Sequence, residues 1–240
     1  MKEHYQDIYD GSAETYDLLV AREDFAGNLE RALTEHLPLA DADVVEMGMG
    51  TGRLTRMLAP QARSITGFDQ SAAMLDVARR HLQESGWENW SLAVADHREL
   101  PLADSVADVG IEGWAFGHLV EDGLPQNAGH LQAALAEMER VVRPGGTLAI
   151  IETLGTGRSE LALSSGALAQ MYRYLEQERG FRRIVVRTDY QFASVAEAER
   201  LCRFFFGDVL GDRARDEALT RISENTGLWL RTQVPYLGGS

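Results

Sequence analysis

Residues 44–55 read VVEMGMGTGRLT, an apolar run that gives way to alternate glycines and then to a second apolar-periodic segment. Glycines at 48, 50 and 52 let the backbone turn sharply and approach a ligand with no Cβ in the way. A helix starting near Arg53 would offer free N–H groups and a positive dipole end to an anionic group. Such a loop suits a nucleotide-type cofactor and equally a tight strand-to-helix turn. The dinucleotide fingerprint G-x-G-x-x-G needs a third glycine three residues past Gly50, and that position holds Arg53. This counts against an NAD-dependent oxidoreductase.

Working outward, Asp43 to Met47 reads as a strand and Arg53 to Leu58 as the helix after the loop. Upstream, Phe25, Leu29, Ala32, Leu33 and His36 or Leu37 recur at helical spacing, and the helix ends before Pro38. Downstream, Ser64 to Phe68 is a second strand, and Ser71 caps a helix whose Met74, Ala78 and Leu82 share one face. Strands follow at Trp90–Ala95 and Ala107–Trp114, then a helix over 130–142 and a strand over Thr147–Thr153. This alternation predicts a parallel sheet covered on both faces. Beyond residue 155 the rhythm changes. The expected elements are a helix from Ser159 to Glu178, a strand from Phe181 to Phe192, helices near 194–206 and 208–223, and a last strand from Gly227 to Gln233.

Four further stretches stand in order behind the glycine loop. Gly67-Phe68-Asp69-Gln70-Ser71 ends the second strand, and a carboxylate about 20 residues past such a loop can accept from both hydroxyls of a ribose. By itself Asp69 is also a good helix-capping turn residue. Ala95-Asp96-His97 ends the third strand, Leu100 to Ile111 leads into the fourth, and Val141-Val142-Arg143-Pro144-Gly145-Gly146 precedes the fifth.

With E-x-G-x-G-x-G in front, these stretches resemble the motifs of class I S-adenosylmethionine-dependent methyltransferases, over about residues 44–153. The resemblance implies a Rossmann-like, seven-stranded, mostly parallel α/β sheet with helices on both faces and S-adenosyl-L-methionine as cofactor. A helical insertion before the last strand and a helical N-terminal lid complete the expected single domain: lid 1–42, cofactor core 43–155, acceptor-covering part 156–240. It implies that Glu46 and the loop glycines Gly48, Gly50 and Gly52 face the methionine end. Asp69 takes the ribose, Gln70 lies against the adenine, and Asp96 and His97 take the adenine edge. The exit of the fourth strand, at Glu112 and Gly113, passes the methionine amino group. The glutamate and tryptophan in Glu112-Gly113-Trp114 depart from the small or apolar residues relatives more often carry there. Tyr5, Tyr9 and Tyr16 are similar to an aromatic lid.

A sulfonium makes its methyl group electrophilic, so the protein chiefly aligns an acceptor and excludes water. For a hydroxyl acceptor a general base helps, and His118 is the candidate catalytic residue, set against a plain packing role. Glu112 and Glu152, at carboxyl ends of strands, are alternative bases, ligands for a cationic acceptor, or capping carboxylates. Tyr172, Tyr174, Tyr190 and Phe204-Phe205-Phe206 are candidate walls of an acceptor pocket, set against ordinary core packing. The expected activity is methyl transfer to an oxygen or nitrogen of a small molecule. The alternatives are a protein acceptor, or a cofactor-binding protein of this fold without methyl transfer.

The 240 residues carry a formal net charge of −14, which argues against a nucleic-acid partner. The single cysteine, Cys202, permits neither an intrachain disulfide nor a cysteine-based zinc site, and no metal is expected. No run approaches the ~18 apolar residues of a membrane span, and the first residues lack a secretory stretch. The expectation is a cytoplasmic protein with no membrane partner, a monomer or homodimer.

Overall fold

The alternation read from the sequence is realised in a computed structural model that describes residues 2–120, 124–161 and 166–234. The chain opens with helices α1 (Lys2–Gly11), α2 (Ala13–Val20) and α3 (Asn28–His36). It then alternates through β1 (Asp43–Met47), α4 (Arg53–Leu58), β2 (Ser64–Asp69), α5 (Ala72–Ser85), β3 (Trp90–Val94) and β4 (Ala107–Gly113). A 3-10 turn at Phe116–Val120 leads to α6 (Leu124–Val141), β5 (Val142–Thr156) and α7 (Ala167–Arg173). The remaining elements are β6 (Arg182–Arg187), β7 (Tyr190–Gln191), α8 (Val195–Phe206), α9 (Asp208–Asp216), β8 (Arg221–Ile222) and β9 (Glu224–Thr232).

Seven strands form one sheet in the order β3-β2-β1-β4-β5-β9-β6. Neighbours from β3 to β5 run parallel, and β9 lies antiparallel between β5 and β6. The central strands are apolar at successive positions because both faces are covered. Val45, Met47, Leu148 and Ile150 pack toward α6 and α7 with Trp229. Their neighbours Val44, Ala149 and Ile151 pack the other way, with Leu29 and Leu33 of α3 and Leu54 and Leu58 of α4. Among the described residues no helix is long and apolar enough to cross a membrane.

The departures from expectation lie in the second half. The single strand expected over Phe181–Phe192 is two, β6 and β7, and β7 pairs with β8 in a small separate sheet. Asp189 causes the break. Its buried carboxylate accepts from Glu224 N (3.0 Å) and from Arg221 (2.7 Å), and also pairs with Arg187. The helix expected over 208–223 stops at Asp216, since Ala218 sits at φ 51°, and residues 221–222 are extended. The helix over 159–178 is shorter, beginning at Ala167 and ending in a π turn at Tyr174–Glu178, while 162–165 lie outside the described residues. β5 is longer than expected because the Pro144-Gly145-Gly146 segment stays extended, held by Gly145 N to Gln233 O and Gln233 N to Gly146 O, both 2.7 Å.

Candidate functional site

The order of strands reverses between β1 and β4, and open α/β sheets bind ligands in the crevice outside such a point. Here the crevice is a cavity of two adjoining lobes, about 190 Å³ and about 340 Å³, sharing Gly48, Gly50, Trp114 and His118 in their walls.

The smaller lobe is built from the turns after β1, β2 and β3. Gly48 N and Met49 N both donate to Phe68 O (2.7 and 2.9 Å), tying the glycine loop to β2. Asp69 then spans the next step, accepting from Gly50 N (2.8 Å) with one oxygen and from Ser71 N (2.9 Å) with the other. Its pKa is raised because burial outweighs those N–H bonds. Gly48 sits at φ 73°, and a Cβ there would stand 2.5 Å from Ala115 Cβ and 3.4 Å from His97 Cε1. The half-buried His97 has its pKa lowered by burial, and its Nδ1 is buried with no hydrogen-bond partner. Gln70 and Arg98 complete this wall.

The N-terminal helices cover both lobes, and Tyr5, Tyr9 and Tyr16 all line them. Ser71 Oγ donates to Tyr9 O at 2.8 Å, and Tyr9 OH meets His118 Nε2 at 2.8 Å. Ala13, Met74 and Val77 seal α2 against α5. His118 stands in the cavity wall on the 3-10 turn, bonded to Tyr9 of α1.

The larger lobe lies between the N-terminal helices, β4, β5 and α8. Glu46, 1% exposed, takes the hydroxyl of Thr55, and its carboxyl is pushed up to about 8, by burial first and by Asp69 second. Arg53 stacks over Trp114 at 4.8 Å and pairs with Glu23 Oε2 at 2.6 Å, while Tyr190 OH donates to that same oxygen at 3.2 Å. Glu224 accepts from Thr153 at 2.7 Å and is pushed up to about 8, chiefly by burial. Glu152, Phe205 and Phe206 close the far side.

Three of the sequence candidates are placed differently. Glu112 is fully buried and does not line the cavity; its Oε2 accepts from Ala115 N (3.0 Å) and Phe116 N (3.2 Å), capping the 3-10 turn from within. Burial and the adjacent Glu152 raise its pKa well above the usual carboxylate range. Asp96 accepts from Arg98 N (2.9 Å) and grips the Arg98 guanidinium, which holds its carboxyl at about 2, so His97 and not Asp96 forms the wall. Gly52 stands behind the loop, where a Cβ would press on Ala78 Cβ at 3.3 Å. Of the candidate aromatic walls, Tyr190, Phe205 and Phe206 line the lobe. Tyr172 is core, its ring tilted against that of Trp229 with centroids 4.5 Å apart. Arg53, Glu23 and Glu224 carried no sequence signal, because the chain brings them together only in the fold.

A family model described as a methyltransferase domain matches residues 45–150. The chain is 28% identical over 200 residues to the malonyl-[acyl-carrier protein] O-methyltransferase of Serratia marcescens, covering 83% of this chain and 69% of that protein. Its fold is similar to that of the YcgJ protein from Bacillus subtilis, with a TM-score of 0.61 at 15% identity, over 88% of this chain and 99% of that one. It is also similar to a phosphoethanolamine N-methyltransferase from Haemonchus contortus solved with phosphoethanolamine and S-adenosylhomocysteine. That match has a TM-score of 0.56 at 18% identity, over 100% of this chain and 49% of that one.

Proposed function

We propose that this chain, which belongs to the class I S-adenosylmethionine-dependent methyltransferases, holds its cofactor along the β1–β4 crevice and methylates an oxygen or nitrogen of a small molecule. The observation that carries the small-molecule reading is the larger lobe, about 340 Å³, roofed by the N-terminal helices and walled by the insertion. Small-molecule pockets run from about 300 Å³ upward.

The residues present fit the cofactor. Gly48 keeps a space that a Cβ would fill. His97 Nδ1, Thr51 Oγ1 and an Arg53 guanidinium nitrogen are buried without hydrogen-bond partners beside that space. We assign the ribose hydroxyls to Asp69, the adenine to Gln70 and His97, and the methionine end to Thr51, Arg53 and the Glu46 side of the loop. S-adenosylmethionine supplies the electrophilic methyl group. The chain supplies position and dryness: the tyrosines of α1 and α2 exclude water, and Trp114 and the glycine loop set the floor. His118, held by Tyr9, is placed to take a proton from the acceptor. Residues 1–42 act as the lid, 43–155 as the cofactor core and 156–240 as the acceptor cover of one domain.

Calorimetric titration with S-adenosylhomocysteine tests the cofactor reading. Asp69→Ala is expected to weaken binding about a hundredfold, from two charge-assisted hydrogen bonds at roughly 1.5 kcal/mol each. Wild-type affinity in that variant, or no binding to the wild-type chain at high micromolar ligand, would sink the assignment.

A further inference from the structure

We propose that the larger lobe recognises its methyl acceptor as an ammonium cation, seated against Glu23 and Glu224 within a ring of aromatic side chains. This rests on the reading of that lobe as the acceptor site. Four glutamates, Glu23, Glu46, Glu152 and Glu224, line it. Among the described residues Arg53 is the only arginine or lysine in its wall, and its charge is largely spent on Glu23 Oε2 and the face of Trp114.

What remain are unpaired oxygen atoms. Glu23 Oε1 and Glu224 Oε2 are both buried, and neither has a hydrogen-bond partner. The two residues are 8% and 2% exposed, so bulk water does not answer for either. Buried acceptors left unpaired are costly, and a protein retains them where a ligand completes them. A neutral acceptor would leave both oxygens unpaired. A carboxylate-bearing acceptor would add a further carboxyl to a wall whose one arginine already pairs with Glu23.

An ammonium supplies what is missing: N–H donors for the two oxygens and a positive charge for the cluster. The other walls suit the same ligand. Tyr16, Trp114, Tyr190, Phe205 and Phe206 line the lobe, and aromatic faces attract cations. The chain's formal net charge of −14 draws cations toward it at long range. The ammonium is a recognition handle; no bond to it forms or breaks at these carboxylates.

The test uses the full chain saturated with S-adenosylhomocysteine and three probes that share a phenol ring: tyramine, 4-hydroxyphenylpropionate and 4-ethylphenol. Calorimetry is expected to show tyramine binding at least about tenfold more tightly than the other two. Glu224→Gln, which can still accept from Thr153, is expected to weaken tyramine about tenfold while S-adenosylhomocysteine affinity holds. The proposal is overturned if the carboxylate or neutral probe matches tyramine, or if tyramine fails to bind at millimolar concentration. Unchanged tyramine affinity in a Glu224→Gln protein that still binds S-adenosylhomocysteine overturns it too. Failure of the wild-type chain to bind S-adenosylhomocysteine is a separate result, which removes the cofactor reading beneath it.

Discussion

Glu46→Gln isolates what one buried carboxyl of the glycine loop does to the fold. In the native chain Glu46 is pushed up to about 8, against an ordinary value of 4.5. Below pH 4.5 both folded and unfolded chains hold this proton, and its contribution to stability is at its most favourable. Between 4.5 and about 8 the unfolded chain has released the proton while the folded chain keeps it, so stability falls as pH rises. Each unit of that window is worth about 1.4 kcal/mol, so from pH 5 to pH 7 the wild-type chain loses about 2–3 kcal/mol through this residue. Glutamine has the same shape, can accept from Thr55 and does not titrate. Other raised carboxyls, Glu112 and Glu224 among them, also depress stability over part of this range, so the diagnostic quantity is the difference between variant and wild type. Urea unfolding of both proteins without ligand, at pH 5, 6 and 7, measures it. The variant should gain on the wild type by about 2–3 kcal/mol across the interval. A difference that stays flat from pH 5 to pH 7 would falsify the claim that Glu46 is folded in its protonated form.

Two further substitutions probe the loop and the lid. Gly48→Ala puts a Cβ 2.5 Å from Ala115 Cβ at φ 73°, and left-handed strain plus overpacking cost roughly 2–5 kcal/mol together. A thermal melt should fall accordingly and S-adenosylhomocysteine binding should be lost; unchanged melting and affinity would show that this space is not needed. Tyr9→Phe removes the 2.8 Å bond to His118, and at about 1 kcal/mol this should speed S-adenosylhomocysteine release roughly fivefold in stopped flow. An unaltered release rate would show that α1 does not retain the ligand.

The parts of the site legible in the sequence are those whose geometry is local. The loop at 48–52 and the position of Asp69 follow from the end of one strand and the end of the next, and β1 and β2 are register partners, Glu46 opposite Gly67. What the sequence could not fix was the direction in which a side chain turns. Asp96 sits where its motif puts it, yet Arg98, two residues on, captures its carboxylate. Glu112 and Gly113 are adjacent at the end of β4, and the alternation of a strand sends the glutamate inward while the glycine reaches the cavity. Trp114 then takes φ 55°, an unusual conformation for a bulky residue, and so presents its ring to Arg53. The group of Glu23, Arg53, Tyr190 and Glu224 was invisible for another reason. Glu23 and Arg53 lie 30 positions apart, and Glu23 and Tyr190 lie 167 apart, so no spacing rule connects them.

Stability alone does not account for how the polar groups are distributed. Packing for stability would leave few buried polar atoms unpaired, and those few would be scattered. Among the described residues ten buried side-chain polar atoms are unpaired, and five of them, on Glu23, Thr51, Arg53, His97 and Glu224, belong to residues that line one cavity. Replacing Glu224 by glutamine, or His97 by an apolar residue of similar size, would relieve a cost that the fold now bears. A protein that keeps such groups around an enclosed space trades stability for a ligand-ready surface. The two lobes divide the trade. On the proposed reading, the smaller presents Asp69 and His97 to a nucleoside, and the larger presents glutamates and aromatic rings to a cation. On this argument, saturating S-adenosylhomocysteine, to which three of the five (Thr51, Arg53 and His97) are assigned, should raise the melting temperature more than saturating tyramine, to which Glu23 and Glu224 are assigned, and the reverse order would refute it.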